Sequence, residues 1–162
     1  MATKIRIMEK SDVDAVVEII QLHDPFDGKC AKRYFSQYFS SPSRIESPHE
    51  KHYVIIKAET RKILGVSGHT PDQYETPGVY WLGWTYVAPN FQRQGLGSEL
   101  LDHVIKQVGM LKARKLYLDT SSDPKYTFAM SLWKRFGFCL EGKLKDYYRN
   151  GEDYLILVYN YE

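Results

Sequence analysis

Between Val87 and Leu101 the chain reads Val-Ala-Pro-Asn-Phe-Gln-Arg-Gln-Gly-Leu-Gly-Ser-Glu-Leu-Leu. A β-rich run ends at Val87, a short loop carries Gln92, Gly95 and Gly97, and an amphipathic helix follows at once. The two glycines lack β-carbons, so the backbone can bend tightly and a ligand can approach it closely. The loop amides then point outward at the positive end of the helix, which makes an anion site. A diphosphate is the ligand that fits, held by the backbone of Gln92, Arg93, Gln94, Gly95, Leu96, Gly97 and Ser98.

Two common diphosphate loops do not match. A dinucleotide-binding turn would carry a third glycine three residues beyond Gly97, where Leu100 stands. A nucleotide-triphosphatase loop would need Gly-Lys-Ser/Thr, which the chain lacks. A glycine-rich strand-to-helix turn that binds nothing is the plainer alternative.

Length and composition narrow the partners. At 162 residues the chain suits one compact domain, taken as residues 1–162. Hydrophobic residues at 43% and charged residues at 26% are ordinary globular material. A net charge of +2 with both signs interspersed leaves no footprint for nucleic acid or a membrane surface. No stretch approaches the roughly 18 apolar residues that span a bilayer, and no apolar signal-peptide core follows Met1. Cys30 and Cys139 stand far apart and outside any Cys-x-x-Cys pair. A metal site or disulfide framework is therefore not expected, and the reducing cytoplasm fits best.

The pattern predicts a strand at Ile5–Met8, then a helix opened by a capping box at Ser11–Asp14 with Val13, Val16, Val17 and Ile20 on one face. Pro25 and Gly28 read as breaks, Ala31–Phe39 as a second helix, and Ser40–Ser43 as a loop. Tyr53–Ala58 and Ile63–Gly68 read as a hairpin, and Val79–Val87 as one strand. A third helix carries Leu100, Leu101, Val104, Ile105, Val108 and Leu111 on a single stripe. After a strand at Leu116–Asp119, Asp123 caps a fourth helix that Gly137 ends. Strands at Phe138–Leu144 and Tyr154–Tyr159 close the chain around Asn150-Gly151. This order gives an α/β chain with a central mixed sheet and helices on both faces.

Gln92-x-x-Gly95-x-Gly97 resembles the [Arg/Gln]-x-x-Gly-x-[Gly/Ala] loop of the GNAT superfamily of N-acetyltransferases. Ala129-x-x-Leu132-Trp133-x-x-x-Gly137-Phe138 is similar to a second motif of that family, Ala-x-x-Leu-Tyr-x-x-x-Gly-Phe. The element order is also that of the GNAT fold. The resemblance implies acetyl-CoA as co-substrate, its pyrophosphate on the Gln92–Ser98 loop and its pantetheine arm on the backbone of Tyr86 and Val87. It further implies that the strand ending at Val87 splays from Leu116–Asp119 to admit that arm, and that an N–H at or beside Val87 polarises the thioester carbonyl.

The proton steps depart from the family pattern. A Tyr hydroxyl often protonates the leaving thiolate, and Trp133 stands at that position. An indole N–H donates a hydrogen bond but is no general acid near neutral pH, so Trp133 is expected to wall the coenzyme arm. Tyr126, seven residues earlier on the same predicted face, is the candidate acid, with plain ring packing as its alternative. The strand before the loop contains no carboxylate, which leaves Glu75, Asp72 and Asp119 as candidate bases acting through a water. The plainer roles are a solvated loop charge for Glu75 and Asp72, and turn hydrogen bonding with Thr120–Ser122 for Asp119. Of the five histidines, only His69 is retained as a weak candidate.

The expected activity is N-acetyl transfer from acetyl-CoA, by direct attack, to a primary amine on a small molecule or a peptide N-terminus. A non-catalytic acyl-CoA-binding module is the alternative, favoured by the missing Tyr and Glu. Asp72, Tyr74, Glu75, Tyr80, Trp81 and Trp84 lend one rim of the acceptor cleft an acidic, aromatic character, although strand aromatics are more often core. Asp146–Asp153 is expected, by analogy, as the loop closing the other rim. A homodimer is left open.

Overall fold

The computed structural model describes every residue from Met1 to Glu162. Its elements are β1 (Thr3–Ile7), α1 (Val13–His23), α2 (Pro25–Phe39), α3 (Pro42–Glu46), β2 (Lys51–Lys57), β3 (Ile63–Pro71), β4 (Val79–Leu82), β5 (Tyr86–Val87), α4 (Leu96–Gly109), β6 (Lys115–Ser121), α5 (Thr127–Arg135), β7 (Cys139–Arg149) and β8 (Glu152–Asn160). They fall into two compact units, Met1–Thr70 with Leu82–Val104, and Pro71–Trp81 with Ile105–Glu162. The class is mixed α/β, as the pattern predicted. No helix is long and apolar enough to cross a membrane.

In the first unit β1, β2 and β3 run antiparallel, and β5 pairs with β3 through Val66–Tyr86 and Gly65–Val87. Side chains alternate across a strand, so Val54, Ile56 and Val66 meet Val16 and Ile20 of α1 and Ala31 and Phe35 of α2. Ile55 and Leu64 face the other way, onto Leu96 and Leu100 of α4. Leu64 shares the face of Ile55 because the register shifts between Ile55 and Ile56. Such a bulge inserts one residue and reverses the alternation beyond it. Helices thus cover both faces of this unit's sheet.

Several boundaries differ from the sequence reading, each for a local reason. Helix α2 starts at Pro25, not Ala31, because Asp24 caps it by accepting from the N–H groups of Phe26 at 2.9 Å and Asp27 at 3.2 Å. Proline is at home in a first helical turn, where its missing N–H has no partner to lose. Gly28 does not break the helix. A β-carbon there would lie 2.7 Å from Cβ of Gln21 on α1, so glycine permits the close crossing. The residues expected as a loop at Ser40–Ser43 lead into α3. The capping box forms two residues early, with the Glu9 N–H donating to Asp12 Oδ2 at 2.7 Å, and Arg6 pairs with the same carboxylate at 2.7 Å. The single strand expected at Val79–Val87 is interrupted after Leu82. There the Gly83 N–H donates to the Gly68 carbonyl at 2.7 Å, and the Thr85 and Ser67 hydroxyls meet at 2.9 Å.

In the second unit β4 lies parallel to β6, and β6, β8 and β7 follow antiparallel, which makes the sheet mixed. Asp123 caps the turn ahead of α5 by accepting from the Lys125 N–H at 2.9 Å, and Gly137 ends the helix at φ +100°. Asp146–Asp153 is the end of a hairpin rather than an open loop. Strands β7 and β8 run through it to a tight turn at Asn150-Gly151, where Gly151 has φ +87°.

Candidate active site

The glycine-rich loop ends where α4 begins. Gly95 has φ +85°, left-handed backbone that disfavours a side chain, yet a β-carbon there would touch nothing within 4 Å. Conformation, not crowding, selects glycine at this position. Gly97 differs from expectation: it lies inside α4 and is not among the residues with positive φ. The Glu99 N–H donates to the Gly95 carbonyl at 3.0 Å. The amides of Leu96, Gly97 and Ser98 therefore precede the helix's own ladder, and such leading N–H groups are the ones a helix offers to an anion. Leu96 is buried against Leu100, Ile55 and Leu64, so its side chain anchors the loop while its amide faces the helix end.

The strand before this loop is set by β3. The Ala88 N–H donates to the Leu64 carbonyl at 2.8 Å, and Tyr86 pairs with Val66. Alternation along the strand turns the polar groups of Val87 away from β3. The Val87 carbonyl accepts from His23 Nε2 at 2.8 Å and from Gln92 Nε2 at 3.4 Å. The Tyr86 hydroxyl donates to Asp27 at 2.6 Å, and the Tyr86 ring lies 5.2 Å from that of His23. Neither His23 nor Asp27 was legible in the sequence. Both stand more than 55 positions from their partners, and no spacing rule joins them.

In the second unit, Asp119 is exposed on β6 and accepts from the Tyr154 hydroxyl at 2.9 Å. Burial and the Asp119 charge push the Tyr154 phenol upward, so it stays protonated and donating. This cross-strand bond replaces the turn bonding to Thr120–Ser122 that was the plain alternative. Tyr154 packs against the exposed rings of Tyr147, at 5.1 Å, and Tyr148, at 6.3 Å. Tyr126 is half-buried just ahead of α5, with the Lys125 ammonium 5.1 Å from its ring centre. Trp133 is half-buried within α5.

The loop carboxylates have different fates. Asp72 accepts from Thr76 Oγ1 at 2.7 Å, Trp81 Nε1 at 3.2 Å and the Tyr74 N–H at 3.3 Å. These bonds, that of Thr76 foremost, hold its carboxyl below the usual range and assign it to the turn. Glu75 is exposed at φ +53°, and its N–H donates to the Asp72 carbonyl at 2.8 Å. The expected aromatic rim is mostly structural. Tyr80 is buried, Trp84 packs on the α1–α2 core, and Trp81 stacks on Tyr117 at 5.1 Å, which leaves Tyr74 exposed.

His69 is a core residue rather than one facing a loop. It is 1% exposed, with Nδ1 on the His49 carbonyl at 3.1 Å and Nε2 3.3 Å from the Tyr53 hydroxyl. Burial pushes it down to about 4, so it is neutral near pH 7. A second buried polar group escaped sequence reading altogether. Arg44 grips Glu50 with two bonds, at 2.9 and 2.8 Å, while His52 lies 3.3 Å away and Tyr34 donates to the same carboxylate. Burial alone would raise the Glu50 carboxyl; the bonds from His52, Arg44 and Tyr34 hold it at about 2. The cluster pins α3 to the start of β2.

Comparison with known proteins agrees with this geometry. No curated protein matches the sequence. Among solved structures, a protein of Desulfovibrio desulfuricans assigned to the GNAT family is 25% identical, with a TM-score of 0.87 and coverage of 98% of this chain and 99% of that one. The ribosomal-protein-S18-alanine N-acetyltransferase of Escherichia coli shares the fold at 19% identity, TM-score 0.74, covering 98% and 94%. An aminoglycoside 6'-N-acetyltransferase, solved with coenzyme A, shares it at 12% identity, TM-score 0.75, covering 97% and 96%. The profile of the acetyltransferase (GNAT) family matches residues 16–138, about three-quarters of the sequence. The chain belongs to the acetyltransferase (GNAT) family.

Proposed function

We propose that this chain is an N-acetyltransferase that moves an acetyl group from acetyl-CoA to a primary amine. The observation that carries the reading is the left-handed Gly95 immediately ahead of the α4 amides. The diphosphate of the coenzyme sits on the backbone of Gln92–Ser98, including Arg93 and Gln94, and the pantetheine amides follow Tyr86 and Val87. The coenzyme A bound to one structural relative supports the same choice of co-substrate.

The reaction is a direct displacement. The neutral amine nitrogen attacks the thioester carbon, and the carbonyl oxygen takes up negative charge. The Val87 N–H, turned off the β3 edge, stabilises that charge. One such preorganised donor is worth roughly 3 kcal/mol. The intermediate collapses with C–S cleavage, and the amine proton leaves to a base through water. Asp119 takes that role, with Glu75 as second candidate, and Tyr126 is the candidate acid for the thiolate. A thiol of pKa about 8.5 can also depart as the anion. Trp133 walls the pantetheine arm. Two relatives are named for acetylating a protein alanine and an aminoglycoside, which supports an amine acceptor, small or at a peptide N-terminus. With both cysteines as free thiols, the cytoplasm is the proposed compartment.

Thiol release from acetyl-CoA, measured across a panel of small amines and peptides, tests the assignment. Release that depends on an amine supports it. Binding of acetyl-CoA with no release to any amine would favour the acyl-CoA-binding module, a reading the indole at Trp133 makes concrete.

A further inference from the structure

We infer that His23 is a positioning residue: from the end of α1 it holds the Val87–Ala88 peptide in place and, with Gln92, ties that peptide to the diphosphate loop. The inference rests on acetyl-CoA being the ligand of this loop.

That peptide is gripped from both edges. Its N–H, on Ala88, donates to Leu64 at 2.8 Å, and its carbonyl, on Val87, accepts from His23 at 2.8 Å. Little else fixes it. Strand β5 is two residues long, and the next residue, Pro89, has no N–H to offer. A rotation about this peptide would swing the adjoining Val87 amide, the donor aimed at the acyl oxygen.

His23 is itself held. Its ring lies 5.2 Å from that of Tyr86, whose hydroxyl is fixed by Asp27 at 2.6 Å. Bonding a carbonyl requires a hydrogen on Nε2. The Gln92 amide nitrogen, 3.2 Å from Nε2, is also a donor, so the two do not bond each other but share the lone pairs of the Val87 oxygen. Gln92 is thereby folded back on the strand. What the loop presents to a diphosphate is backbone, and His23 with Gln92 sets the angle between strand and loop. Binding to a preorganised site spends less of its free energy on ordering.

The test titrates acetyl-CoA calorimetrically into wild type, His23→Phe, His23→Gln, Gln92→Ala and the His23→Phe/Gln92→Ala double variant. Thermal unfolding of each is recorded in parallel. His23→Phe keeps a ring against Tyr86 and removes only the donor, so it should weaken acetyl-CoA about tenfold, ~1.4 kcal/mol. His23→Gln returns an N–H of similar reach and should recover affinity to within about threefold. The double variant should lose more than the product of the two single losses, because each single variant still leaves one donor on the Val87 oxygen. Unchanged affinity in His23→Phe, even with a lowered melting temperature, would make His23 merely structural and overturn the inference. Failure of His23→Gln to improve on His23→Phe, or strict additivity, would overturn it too. Failure of wild type to bind acetyl-CoA would instead remove the coenzyme reading, and this inference with it.

Discussion

Replacing Gly95 by alanine adds one methyl group at φ +85°, where that methyl would meet no atom within 4 Å. With no clash, the cost is the left-handed conformation alone, about 1–2 kcal/mol for a residue with a β-carbon. That cost divides between two measurements. If the free loop stays left-handed, the folded state carries the whole strain, and affinity for acetyl-CoA is unchanged. If the free loop relaxes, stability is spared, but binding must restore the conformation and affinity falls by up to about tenfold per 1.4 kcal/mol. The sum of the two losses should be about 1–2 kcal/mol in either case. Gly151 is the matched control, since its φ is +87° and its β-carbon would also meet nothing within 4 Å. Gly151→Ala should lose similar stability, a melting shift of about 2–4 °C per kcal/mol, and bind acetyl-CoA as wild type does. Urea unfolding and calorimetric titration of both variants supply the numbers. The reasoning is refuted if Gly95→Ala changes neither quantity, or if Gly151→Ala weakens acetyl-CoA.

Other expectations concern protons. Asp119→Asn should lower turnover and flatten the acid limb of the pH–rate profile, with Glu75→Gln smaller in effect; if neither alters the profile, deprotonation occurs in bulk solvent. Trp133→Phe preserves an apolar wall and should keep most of the turnover, whereas loss of turnover in Tyr126→Phe at unchanged acetyl-CoA affinity would make Tyr126 the acid. Stability should fall with acid in two windows. His69, depressed from 6.5 to about 4 by burial, contributes fully above 6.5 and loses its contribution as pH falls through 4. Glu50, held at about 2 against 4.5, contributes fully above 4.5 and loses about 3 kcal/mol as pH falls toward 2. Glu50→Gln should shrink the lower window in urea titrations run from pH 7 to 2, leaving the part due to Asp12, which Arg6 holds below its usual range, and leave the upper one in place.

The sequence exposed what depends on neighbours along the chain. The loop at Gly95, the cap at Asp123 and the helix end at Gly137 are set within a few residues, and each stands where the pattern placed it. Pro25 misled because proline is both a helix breaker and a good first-turn residue, and only the Asp24 cap decides between them. The break after Leu82 was invisible because it is made from β3, by the Gly68 carbonyl. The groups around Val87 and Glu50 come from helices far away in sequence. A histidine at position 23 looks like any helix-end histidine until the Val87 carbonyl is found beside it.

Strand β7 pairs with β8 alone, and ten of its eleven residues are exposed, Leu140, Leu144, Tyr147 and Tyr148 among them. An open edge with that much apolar surface is a template on which other chains can stack. Two features oppose it: the ladder is interrupted at Leu140/Gly142 and again at Leu144/Arg149, and Lys143 and Lys145 stand between the apolar residues. Irregular pairing removes the flat run of amides that a stacking chain needs, and stacking would crowd like charges together. The two lysines therefore act as guards against aggregation, a role they fill whether or not any coenzyme is bound.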